Sequence, residues 1–201
     1  MTTRMLLTGV IGGVAMFIWT SLAHMVLPLG EAGLDEIPNE QAVVEAMRSK
    51  MGTRPGLYVF PGFALGEHPT RAAKSEAMNN MAEKVAQNPS GLLMYYPAGT
   101  RTLNMGKLLG VELATELIEA CLAVLLLGLA RVDSFRGRVG FVVAVGAIAA
   151  LATNVSYWNW YGFPASYIAA YMFTQVVGFL CVGLVAGFLL RGRIPAVDQS
   201  I

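Results

Sequence analysis

Glu112, Glu116 and Glu119 stand in the stretch VELATELIEA, in one of the most apolar parts of the chain. Their spacings, four residues and then three, put the carboxylates on one side of a helix. Acids so placed can hold a metal, pass a proton or a substrate, or fix one helix against its neighbours. The sequence supplies partners for each option. His24 ends the first apolar block. Thr153, Asn154, Tyr157 and Asn159 end the third, and Tyr167, Tyr171 and Gln175 begin the fourth.

A metal site of His24, Glu112 and Glu116 is one reading. Carboxylate-rich bundle sites usually carry Glu-x-x-His on a helix, and that spacing is absent. His24 as axial ligand to a chlorophyll or haem is a second, since Thr20, one turn earlier, is small enough to admit a ring. Proton or substrate passage through the acids is a third; no continuous polar track reaches the far half of the blocks, which argues against a pore. The plainest reading is a buried network in which Glu116 and Glu119 hydrogen-bond to residues such as His24, Asn154 and Gln175, with Glu119 protonated and Glu112 the wettest of the three. His68, in GEHPTR, has no spaced His or Cys partner and reads as a surface turn.

The elements that must position these groups follow from composition. The chain of 201 residues is 55% hydrophobic and 13% charged; soluble domains are nearer ~25% charged. The apolar excess falls in residues 5–27, 107–130, 139–160 and 165–190, each long enough to span ~30 Å of hydrocarbon. The first block is too long for a signal-peptide core and lacks a good cleavage site, so it reads as a retained span. Arg4, Arg131, Arg136, Arg138, Arg191 and Arg193 gather on one side of these spans. The positive-inside rule then predicts both termini in the cytoplasm and residues 28–106 outside, in the periplasm of a bacterial inner membrane. A net charge of +1 gives no nucleic-acid footprint. Cys121 and Cys181 both lie inside spans and read as small core residues.

Residues 28–106 read as a small α+β cap. Asn39 is positioned to cap a helix reaching Met51, with Val43, Met47 and Met51 as its apolar stripe. A second helix is expected from Thr70 to just before Pro89, burying Ala77, Met78, Met81, Ala82 and Val85. PGLYVFPG and SGLLMYYPAG each follow a helix, end at proline and read as short strands able to pair. The expected class is a mainly α membrane protein: four transmembrane helices with this cap between the first and second, roofing a polar pocket.

Gly9-x-x-x-Gly13 and Gly183-x-x-x-Gly187 are small-residue faces that let helices approach closely. They are expected to pack on each other or on a partner protein. Trp158, Trp160, Tyr157, Tyr161 and Phe163 form an aromatic belt, a platform that can also receive a lipid headgroup or a partner helix. SLAHMVLPLGE, GLYVFPG, GLLMYYPAG and VSYWNWYGFP together resemble a family of uncharacterised bacterial inner-membrane proteins with four predicted spans. The resemblance implies a bacterial host and an outward cap, and carries over no activity and no catalytic residue.

No nucleophile–base pair, zinc motif, phosphate loop or inverted repeat is present. The reading favoured by sequence is a non-catalytic accessory or scaffolding subunit of a larger membrane complex, a pigment- or haem-linked subunit of an energy-transducing complex being a special case, with other membrane subunits and lipids as partners. The alternative is a small membrane enzyme or a lipid- or cofactor-binding protein that uses the polar pocket.

Overall fold

Hydroxyl and amide side chains open most of the helices. Thr2, Thr70, Asn104 and Ser134 each accept a hydrogen bond from a backbone N–H in the first turn of the helix that follows, which satisfies one of its orphan donors. In the computed structural model, which describes residues 1–190, the order is α1 (Thr3–Met25), α2 (Glu40–Lys50), β1 (Gly56–Phe60), α3 (Arg71–Asn79), α4 (Met81–Gln87), β2 (Gly91–Tyr95), α5 (Met105–Ala130), α6 (Phe135–Tyr161) and α7 (Ala165–Leu189). Arg191 and Arg193 lie outside the described residues. Among the described residues four helices, α1, α5, α6 and α7, are long and apolar enough to cross a membrane.

The chain divides into two units. The first, residues 1–34 with 104 onward, is the bundle. Within it α1 packs on α5 and α7, and α6 packs on α7. Glycine sets these approaches. A Cβ on Gly9 would lie 2.9 Å from Cys121 Cα, and one on Gly13 would lie 2.8 Å from Leu117 Cα, both on α5. A Cβ on Gly183 would meet Val139 Cα at 3.2 Å, and one on Gly187 would meet the Phe135 ring at 2.7 Å, both on α6. The expectation that the two glycine faces meet each other or a partner is corrected here. Each is buried against a different helix of the same chain, because α5 and α6 supply the antiparallel backbones that fit them. Gly12 does turn to α7, where its Cβ would stand 3.2 Å from Val182.

The packed core fills one half of the bundle: Met5, Ala123, Val124, Leu127, Val142, Val182, Ala186 and Leu190. Arginines hold this end. The Arg4 guanidinium donates to the Leu189 carbonyl at 2.6 and 2.9 Å, satisfying an orphan acceptor at the C-terminus of α7. α6 begins at Phe135, four residues before the apolar block at 139, so Arg136 and Arg138 lie in its first turns. Arg138 is buried and donates to the Val132 carbonyl at 2.9 Å. Arg131 ends α5 in the left-handed region (φ 52°).

The second unit, Asp35–Leu103, is small. β1 and β2 pair antiparallel with Gly56 opposite Tyr95 and Phe60 opposite Gly91, as the two Gly-Leu phrases suggested. Tyr95 is its best-buried apolar residue; the ring packs edge-on to Tyr58 and the hydroxyl donates to the Gly52 carbonyl. Two expectations need correction. Asn39 precedes α2 but sits in the left-handed region (φ 54°), and its side chain makes no capping bond. The helix after Thr70 is interrupted at Asn80, which ends α3 and opens α4. Its apolar stripe is poorly covered: Met78 and Val85 are exposed and Ala77 and Met81 only half-buried. Val43, Met47 and Met51 are half-buried. His68 is exposed in a bend.

Candidate functional site

The half of the bundle away from Arg4 is not filled. There the four long helices leave a cavity of about 240 Å³. α5 contributes Glu112, Thr115, Glu116 and Glu119, one helical face. α1 contributes Met16, Thr20 and His24. α6 adds Thr153 and Asn154, and α7 adds Tyr171, Thr174 and Gln175. Eight of the eleven residues expected around the acids are brought together. Asn159 and Tyr167 do not line the cavity, and neither does Tyr157. It is 44% exposed and packs on Tyr161 and Phe163.

The three acids are graded by depth. Glu112 is exposed, Glu119 half-buried and Glu116 only 3% exposed. Of the network expected around them, Asn154 and Gln175 pair, but among the described residues neither they nor His24 bond to the acids. The Asn154 amide donates to the Ala150 carbonyl at 2.9 Å and to Gln175 Oε1 at 3.5 Å. His24 Nδ1 lies 3.0 Å from the Thr20 carbonyl. A carbonyl only accepts, so Nδ1 carries the proton and donates. Glu116 faces the Thr20 hydroxyl, but its Oε2 is buried with no hydrogen-bond partner. Their own helices satisfy Asn154 and His24 through the preceding turn, which leaves little to offer the acids.

Around this cavity the aromatic groups form a ladder. His24 meets Tyr171 edge-on at 5.8 Å, Tyr171 stacks on Tyr167 at 4.5 Å, and Phe163 and Tyr157 follow at 5.4 and 5.3 Å. Trp158, Trp160 and Tyr161 are exposed, as a belt requires, while Phe163 is half-buried within the ladder. Trp19 Nε1 donates to the Thr174 carbonyl at 2.9 Å and ties α1 to α7 at pocket level. Gly30 closes on His24: a Cβ there would stand 3.0 Å from Cδ2.

Beside the cavity lies a groove of about 300 Å³ that shares Thr20, His24, Glu112 and Tyr171 with it. Its remaining walls are mostly apolar: Phe17, Met25, Leu108 and Leu109, with Ser21.

Sequence reasoning passed over Met16, Thr115 and Thr174. The signal for two of them was available, since Thr115 falls between Glu112 and Glu119 at helical spacing and Thr174 stands one turn after Tyr171. Among the described residues no group of three His, Cys, Asp or Glu is arranged to hold a metal ion, His24, Glu112 and Glu116 included. Cys121 and Cys181 are free and half-buried, and Cys121 lies under Gly9.

No protein-family model, curated protein or solved structure matches the chain. The functional reading therefore rests on this geometry.

Proposed function

We propose that the chain is a non-catalytic, ligand-binding integral membrane protein and that the acid-lined cavity receives the ligand. One observation carries the reading. Glu116 Oε2 is buried, faces a cavity and has no partner. A buried polar atom left unpaired costs about 1–3 kcal/mol, and more for a charged group. Acids inside a bilayer turn inward toward partners that define a site. A ligand that donates to Glu116 supplies the partner the fold withholds.

The accessory-subunit reading uses, beside the cap outside, the two glycine faces in lipid as contacts for a partner. Those faces are engaged inside the bundle, so the pocket is preferred. Arg4, Arg131 and Arg136 at the end opposite the cavity support cytoplasmic termini and a pocket in the outer half of a bacterial inner membrane. On that reading residues 35–103 lie on the periplasmic side.

Native mass spectrometry of the chain purified in mild detergent tests the proposal. The expected spectrum is a single chain with a small-molecule adduct that Glu116→Ala loses. A stoichiometric partner chain with no adduct would return the reading to a complex subunit.

A further inference from the structure

The cavity has a definite chemical character. Glu112, Glu116 and Glu119 line it, and no Lys or Arg does. Carboxylates a helical turn apart repel one another, so the lining is complementary to a cation. The unpartnered Glu116 Oε2 sharpens this, because it needs a hydrogen-bond donor as well as a positive charge. A primary ammonium has three donors. A quaternary ammonium has none and would leave the buried oxygen as it is. A phosphate beside the amine would meet acids with no Lys or Arg to offset it.

The neighbouring groove defines the rest of the ligand. It adjoins the cavity, the two sharing Thr20, His24, Glu112 and Tyr171 as lining, and Phe17, Leu108 and Leu109 give it apolar walls. Leu108 and Leu109 are themselves exposed on α5, so a tail lying there reaches the face that lipid covers.

We infer that the occupant is a single-chain amphiphile with a primary ammonium head and no adjacent phosphate, its head bonded to Glu116 and its tail in the groove between α1 and α5. The inference rests on the proposed ligand-binding function and specifies the ligand's class. The head exchanges water for Glu116 Oε2, with Glu112 at the junction of cavity and groove.

The test uses the purified full chain in neutral-lipid nanodiscs and three probes of equal chain length: tetradecylamine, tetradecyltrimethylammonium and tetradecanoate. Binding is read from Trp and Tyr fluorescence, to which Trp19 and Tyr171 at the pocket contribute. Tetradecylamine should bind one-to-one, at least tenfold tighter than the trimethyl analogue, with no saturable binding of the carboxylate. Glu116→Gln should weaken the amine at least tenfold. Ser21→Trp, which fills the groove, should weaken tetradecylamine while leaving the weak binding of butylamine unchanged. Equal affinity for the amine and its trimethyl analogue overturns the inference, and so does an unchanged affinity in Glu116→Gln. A co-purified adduct that proves neutral or acidic also overturns it, yet leaves the proposed function standing. No adduct and no binding by any probe removes both.

Discussion

Gly13 offers a perturbation whose size can be worked from the structure. A Cβ at this position would stand 2.8 Å from Leu117 Cα and 3.1 Å from the Glu116 carbonyl oxygen. Ordinary carbon contacts are about 3.5–4.0 Å, so alanine falls short of the space it needs by roughly 1 Å. The nearest obstruction is backbone, which cannot rotate aside, and α1 and α5 must part. Overpacking of this kind costs about 1–3 kcal/mol. At about 2–4 °C per kcal/mol for a chain of this size, the middle of that range lowers the melting temperature by roughly 6 °C. The matched control is Gly110→Ala, earlier on α5, where a new Cβ meets nothing within 4 Å; there alanine is neutral or slightly stabilising by helix propensity. The displaced peptide carries Glu116, so Gly13→Ala should also weaken retention of the small-molecule adduct, and Gly110→Ala should not. Thermal unfolding in one detergent, together with native mass spectrometry, reads both effects. If Gly13→Ala melts with Gly110→Ala and keeps its adduct, α1 and α5 do not touch where the structure has them, and the argument from close approach fails.

Three further outcomes are expected. In a background with Cys121 and Cys181 replaced by alanine, cysteine at Ser75 should react with an impermeant thiol reagent on intact cells and cysteine at Ser134 should not; the opposite pattern reverses the orientation. Arg4→Gln removes the guanidinium that bonds the Leu189 carbonyl, so amides in the last turn of α7 should exchange with deuterium several times faster, while exchange around Asn154 stays as it was. Ser134→Ala removes the hydroxyl that accepts from Gly137 N–H at 3.0 Å and should cost about 1 kcal/mol in reversible unfolding; no measurable loss would mean that water caps α6 equally well.

Much of the architecture was legible along the chain because its signals are local. Four apolar runs need no tertiary context to read as spans, and α5 and α7 begin and end within two residues of the expected boundaries. The spacing of Glu112, Glu116 and Glu119 places them on one helical face wherever that helix packs, and the polar ends of α1, α6 and α7 fall at the same level by alternation of direction. The two Gly-Leu strands were legible for the same reason: a proline stops each one locally.

What only the tertiary structure decided depends on rotation and distance between helices. A Gly-x-x-x-Gly face says that something approaches closely but not what, because glycine offers the same flat surface to any backbone; α5 and α6 turned out to be the partners of Gly9 and Gly183. The interruption at Asn80, where one expected helix became α3 and α4, was also not readable from the chain. Tyr157 and Asn154 are three residues apart, near neighbours on one helix, and only the rotation of α6 against α7 buries one and exposes the other. Satisfaction of a polar group is likewise a question of distance. Asn154 and His24 found acceptors in their own helices, and Glu116 Oε2, without a hydrogen-bond partner among the described residues, was left facing the cavity.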